Sequence, residues 1–196
     1  MAPDVSAEEA FRLARATTFK NAAAGLPHGG GKSVIFVDPK MPLSDKERLV
    51  RSFAAAIADL SDYIPGPDMG TDELAMGWIK DETGRAVGLP REIGGIPLDE
   101  IGATGFGLVA AIDVARDHIG LPLAGARVVV QGFGSVGKHV ARFLAEKGAV
   151  LIAASDTSGT IADANGLDLS ALLASKTKGG RCTTIRTAAA RHGRSD

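Results

Sequence analysis

One stretch limits the folds open to this chain more than any other: VVVQGFGSVGKHVARFLAEKGAVLIAASD, residues 128–156. Three valines, Val128 to Val130, run into Gly132, Gly134 and Gly137 at G-x-G-x-x-G spacing. Ser135 to Lys147 then reads as a helix, and Ala149 to Ala154 as a second strand. Just upstream, Thr104 to His118 has apolar residues at helical spacing, and Arg127 to Gln131 is the first strand. Helix, strand, helix, strand over about fifty residues describes half of a doubly wound parallel sheet of Rossmann type.

The glycine positions have a physical logic. Gly132 allows a tight turn, Gly134 leaves room for a pyrophosphate against the backbone, and Gly137 permits close packing of helix on strand. Phe133, Ser135 and Val136 complete the turn, and the helix N-terminus supplies unpaired amides and a positive dipole end. Asp156 ends the next strand, 19 residues past Gly137, where an acid accepts from adenosine ribose hydroxyls. Such an acid repels a 2′-phosphate, so NAD is expected over NADP, with NADP left open because a neighbouring Arg or Lys can reverse that order.

The first half of the chain is a different kind of α/β sequence. Ser6-Ala7-Glu8-Glu9 has capping-box spacing, which predicts a helix to about Ala24, ended by Gly25. Ser33 to Val37 (SVIFV) predicts a short buried strand. Ser44 to Glu47 repeats the capping-box spacing ahead of a second helix through LVRSFAAAIADL, and Asp72 caps a third, ELAMGWIKDE. Thr83 to Ile101 is a polar connection with turn signals at Leu89-Pro90 and Gly94-Gly95. The expected division is residues 1–101, 102–175, and a tail at 176–196.

That tail carries six basic residues from Lys176 onward against Asp196 alone, with low hydrophobicity that predicts disorder. Elsewhere the charge is balanced: the whole chain sums to −1, which argues against a general nucleic-acid or membrane-surface role. Cys182 is the only cysteine, excluding an intramolecular disulfide and a cysteine metal cluster, and it fits a reducing cytoplasm. No stretch has the apolar length of a signal peptide or a membrane span. No metal site is expected.

Between Phe19 and Pro39 the chain reads FKNAAAGLPHGGGKSVIFVDP, placing Lys20 and Lys32 on either side of three glycines. An ammonium near a second one, or partly desolvated, has its pKa lowered and becomes usable as a base. The other lysine stays charged and suits a carboxylate. Gly30 and Gly31 beside Lys32 would let backbone approach a small substrate, and GPDMGTDE adds a carboxylate, Asp68. On these residues alone, Lys20 equally suits a solvated helix position, the glycines a plain loop, and Asp68 a turn or cap.

Four segments, LPHGGGKSVIFVDP, PGPDMGTDELAMGWIKDE, IGATGFG and VVVQGFGSVGKHVARFLAEKGAVLIAASDTSGTI, resemble in order and separation the glutamate/leucine/phenylalanine/valine dehydrogenase family. The resemblance covers about residues 3–175. It implies an N-terminal substrate-binding and oligomerisation domain, then a cofactor domain of which the first half is present. It also implies NAD-dependent oxidative deamination of an L-amino acid to a 2-oxo acid and ammonia, in a homo-oligomer. By motif, Lys32 matches the catalytic lysine that activates water, and Lys20, twelve residues earlier, the lysine that binds the α-carboxylate. Asp68 matches the aspartate that moves protons to and from the amino nitrogen, and Thr104 a threonine near the nicotinamide amide.

The chain opens just after the family's K-G-G-x-R segment, and TKGGRCTTIRTAAARHGRSD matches no continuation of the cofactor domain, so a chain truncated at both ends is expected. GGGKSVI is closer to branched-chain and aromatic members; PGPDMGTD, GFGSVG and SDTSG are closer to glutamate enzymes, and glutamate is favoured. The alternatives are a leucine, valine or phenylalanine dehydrogenase, or a non-catalytic fragment that retains only oligomerisation or cofactor binding.

Overall fold

The computed structural model describes residues 1–38, 41–177, 180 and 182. The chain falls into two compact units, Met1–Pro97 and Leu98–Asp196.

The first unit begins with α1 (Ala7–Ala23), whose N-cap Ser6 accepts from the Glu9 amide at 3.2 Å. Gly25, at φ +68°, takes the chain out of the helix as expected. No residue of α1 is buried, and Phe11 and Phe19 stand in solvent. The segment Ser33–Val37 differs from expectation. Its only pairing among the described residues is a one-residue bridge between Phe36 and Ala2, and Phe36 is 75% exposed. Ala2 is followed by Pro3, which has no N–H with which to continue a ladder.

Helix α2 (Leu43–Ala56) also starts differently: Pro42 is its N-cap, and Ser44 lies inside the first turn rather than capping it. Proline's fixed φ suits the helix entry, and the Pro42 carbonyl accepts from both Asp45 and Lys46. Helix α3 (Glu73–Thr83) is capped as expected, Asp72 Oδ1 accepting from the Ala75 amide at 2.9 Å. Val50 and Ala54 of α2 pack with Ala75, Met76, Trp78 and Ile79 of α3 to form this unit's core. Arg51 of α2 locks the pair from outside, reaching Glu47, Asp81 and Glu82. A 3₁₀ turn, Arg91–Ile93, follows.

The second unit contains α4 (Leu98–Ile101), α5 (Ala103–Ile119), β1 (Arg127–Gln131), α6 (Ser135–Glu146), β2 (Val150–Asp156), β3 (Gly159–Ala162) and α7 (Leu169–Thr177). β1 and β2 pair in parallel, Arg127 opposite Val150 and Val130 opposite Ala154, as the crossover through α6 requires. β3 turns back antiparallel on β2 after a two-residue connection, so the sheet is mixed, in the order β1-β2-β3. The sequence reading had no β3: Gly-Thr-Ile-Ala is four residues long and buries only Ile161.

Val130, Phe133, Ala141, Leu151, Ala154, Ile161, Leu172 and Cys182 form one core of this unit. Val109, Leu123, Val140, Leu144 and Ala149 form a second between α5 and α6. Lys176 belongs to α7 and Cys182 is fully buried, so the start of the expected tail is structured. The rest of that expectation lies outside the described residues.

Candidate active site

In the first unit, α1 carries Lys20 in its last turn, and the glycine run returns alongside the same helix before Lys32. The Lys32 amine contacts Asp68 Oδ2 as an ion pair. Both lysines and Asp68 line one cavity of about 600 Å³, within the size range of small-molecule sites. The Lys32 side chain is only 21% exposed. Burial lowers its pKa, and the Lys20 charge lowers it further; the Asp68 carboxylate works in the opposite sense without reversing the direction. The structure therefore brings together the three residues that sequence reasoning assigned to substrate.

Gly30 and Gly31 have another use than the one expected of them. A Cβ on Gly30 would fall 2.0 Å from the Ala14 carbonyl oxygen and 2.5 Å from the Thr18 nitrogen; one on Gly31 would fall 2.8 Å from the Tyr63 ring. The space was read as room for a substrate. In the structure the Cβ positions are filled by α1 backbone and an aromatic side chain, while Gly31 itself also lines the cavity of the two lysines.

Asp68 is held by its own turn. Its Oδ1 accepts the Met69 amide at 2.6 Å, and its backbone exchanges hydrogen bonds with the Thr71 hydroxyl at 2.9 Å each way. One carboxylate oxygen is thus fixed while the other faces Lys32. The segment leading to this turn is anchored by Arg85, whose guanidinium donates to the carbonyls of Ile57, Ala58, Leu60 and Tyr63 at 2.7–3.1 Å. Sequence reasoning missed Arg85 and Tyr63. An isolated arginine after a helix gives no signal of the carbonyls it will meet.

In the second unit the glycine turn has the geometry its spacing predicts. Gly132 sits at φ +85°, and the amides of Gly132 and Phe133 both donate to the Ser155 carbonyl. A Cβ on Gly137 would lie 2.1 Å from the Gly132 oxygen, whereas Gly134 faces open space. Gly134 is the N-cap of α6 and offers no side chain to its first amides, so that end is open to an anion. Ser135 and Val136 are exposed beside it, while the Phe133 side chain is fully buried and leaves only its backbone for a nucleotide. Thr104 is exposed on the first turn of α5. Gly102 and Gly105 flank it, and each would place a Cβ against His139 of α6. The pyrophosphate turn fits a dinucleotide.

The ribose acid fits less simply. Asp156 Oδ2 accepts the Lys176 ammonium at 2.8 Å and the Cys182 amide at 2.9 Å. Its Oδ1 accepts the amide and hydroxyl of Ser158. Lys176 first, then Ser158 and Cys182, hold this carboxyl far below the ordinary range. Both oxygens are engaged by the chain itself. Lys176 was read as part of a solvated basic tail, and its pairing had no sequence signal.

Residues 1–85 match the Glu/Leu/Phe/Val dehydrogenase dimerisation domain, and residues 94–195 match the Glutamate/Leucine/Phenylalanine/Valine dehydrogenase domain. The chain belongs to this family. Over 180 residues it is 39% identical to a glutamate dehydrogenase of Aeropyrum pernix, covering 85% of this chain and 43% of that one. Among solved structures it is similar to the hetero-hexameric glutamate dehydrogenase of Thermus thermophilus in a leucine-bound form, with TM-score 0.83 and 34% identity over 92% of this chain and 46% of that one. The Plasmodium falciparum glutamate dehydrogenase gives TM-score 0.79 at 26% identity, covering 93% and 42%. The chain thus spans about half the length of the family members it matches. Among the described residues no helix is long and apolar enough to cross a membrane.

Proposed function

We propose that this chain carries the chemistry of an NAD(P)-dependent L-amino-acid dehydrogenase, with glutamate as the favoured substrate and NAD as the favoured cofactor. The supporting observation is the Lys32 amine, depressed by burial and by Lys20, set against Asp68 in one cavity. Overall, amino acid, NAD⁺ and water give 2-oxo acid, ammonium, NADH and a proton. NAD, when bound, supplies the acceptor for the hydride leaving Cα.

The chain's own residues do the rest. Lys20 pairs with the substrate α-carboxylate, fixing the amino acid by one end. Lys32 takes a proton from the water that attacks the iminium carbon, which needs its neutral form at working pH. Asp68 returns and removes protons at the substrate nitrogen, steadied by the Met69 amide. The turn Gly132–Gly137, with Phe133 contributing backbone, would cradle the pyrophosphate, and Thr104 would serve the nicotinamide amide. Asp156 serves the ribose once Lys176 and Cys182 release it.

We further infer association between copies of the chain through the first unit, supported by the exposed Phe11, Phe19 and Phe36 and by the domain name that residues 1–85 match. A cytoplasmic setting accords with the presence of a single cysteine, Cys182.

The test is NADH formation on adding glutamate, leucine, valine or phenylalanine to the purified chain with NAD. Turnover of glutamate above the others is expected, and Lys32→Ala should reduce kcat by about 10²–10⁴-fold. No turnover with any of the four would overturn the enzymatic reading. A second reading, a non-catalytic relative, is favoured by the engagement of Asp156. Calorimetric titration with NAD separates the two, since a chain that neither binds NAD nor turns over has kept only the fold.

A further inference from the structure

Two side chains of α1, the exposed Thr18 and the half-buried Asn21, do not belong to the catalytic constellation, yet both reach the glycine run. The Thr18 hydroxyl donates to the Ala14 carbonyl at 3.1 Å, which aims its lone pairs outward, and it accepts the Gly30 amide at 2.9 Å. Asn21 Nδ2 donates to the Gly29 carbonyl at 2.9 Å. Two successive residues of the loop are therefore tied to two residues of the helix, one on each side of Lys20. Gly30 adds a steric term, because it lies so close to α1 that a Cβ there would meet main-chain atoms of Ala14 and Thr18.

We propose that Thr18 and Asn21 are positioning residues for the proposed deamination chemistry: they clamp the glycine run onto α1 and so hold the Lys32 amine inside the reach of the Lys20 charge. The inference rests on Lys32 being the base. The clamp is physically needed because three consecutive glycines have the largest backbone freedom of any tripeptide. Untied, the loop would let Lys32 drift toward water.

The electrostatics give the expected sign. The titratable groups lining the same cavity are Glu9 and Lys20 on α1, His28 before the glycine run, Tyr63, Asp68 and the Met1 ammonium. The two influences that depress Lys32 are burial and Lys20. Both weaken if the loop leaves the helix, so loss of the clamp raises the Lys32 pKa toward the free-lysine value of about 10.4. Asp68, which favours the ammonium, already opposes the depression and does not change this direction.

The experiment is competitive labelling of the full chain with trace acetic anhydride across a pH series. A reference amine is added, and the peptide containing Lys32 is quantified by mass spectrometry. Thr18→Val and Asn21→Ala should each move the Lys32 midpoint upward, by about one pH unit for the pair; Thr18→Ser, which keeps the acceptor oxygen, should hold the wild-type midpoint. Far-UV circular dichroism checks that each variant keeps its helices. Where the chain turns over, kcat should fall at fixed pH with KM little changed.

A wild-type midpoint below the free-lysine value that is unmoved by Thr18→Val with Asn21→Ala overturns the clamp alone. A wild-type midpoint at the free-lysine value overturns the base assignment and the clamp with it.

Discussion

Lys176 sets its ammonium 2.8 Å from Asp156 Oδ2, on the oxygen that also receives the Cys182 amide. The carboxylate proposed for the ribose is thereby paired with a cation twenty positions further along the chain.

Lys176→Ala should free that oxygen of its cation, leaving the Cys182 amide as its remaining contact. NAD affinity is expected to rise by roughly tenfold, equivalent to about 1.4 kcal/mol, while NADP affinity falls because the cation paired with the proposed ribose acid is gone. Calorimetric titration of wild type and variant with both nucleotides measures this. Unchanged affinity for both would show that nucleotide binding does not involve Asp156.

Asp156 also makes stability depend on pH in a definite direction. Its folded pKa is depressed, so its contribution is present above the unfolded value of about 3.9 and is lost as pH falls from there toward the folded value. Asp156→Asn should cost about 1–3 kcal/mol at neutral pH through the loss of charged hydrogen bonds. The gap should narrow in more acid solution. Urea unfolding followed by circular dichroism at several pH values reads both effects.

Gly134 and Gly137 should respond differently to the same change. Gly137→Ala drives a Cβ into the Gly132 carbonyl at 2.1 Å and should destabilise the second unit by about 2 kcal/mol or more. Gly134→Ala meets nothing within 4 Å and should leave the melting temperature nearly unchanged while weakening NAD binding. Equal destabilisation by both would refute the division of roles between packing and phosphate approach.

Arg85→Ala removes a donor set from four carbonyls of the Ile57–Tyr63 segment. We expect a loss of about 1–3 kcal/mol, and faster amide hydrogen exchange between residues 57 and 68. Exchange confined to wild-type rates there would mean that the segment is held by other contacts.

The legible parts of this fold were those in which a short local pattern decides the outcome. Ser6 and Asp72 cap helices through a side chain three residues from its target amide, and the Gly132–Gly137 spacing is dictated within a single turn. Ser33–Val37 was misread because β-branched composition states a preference for extended backbone, whereas a strand also needs a partner, and here that partner is Ala2 next to a proline. Ser44 lost its capping role to Pro42, whose ring fixes the entry angle before a hydroxyl can compete. The lysine pair and Asp68 were found through a family pattern, not through physics alone. What supports them was illegible: Thr18, Asn21, Tyr63 and Arg85 act across 8 to 32 residues of chain on backbone groups, and backbone groups carry no sequence mark.

The chain has one tryptophan and one tyrosine, and both Trp78 and Tyr63 belong to the first unit. Its tryptophan and tyrosine emission therefore reports on the α2–α3 core and the lysine cavity, while the Gly132–Gly137 turn and Asp156 lie in the unit that has neither residue. Loss of structure in the two halves can then be timed separately in one sample, with emission following one half and amide signals following both.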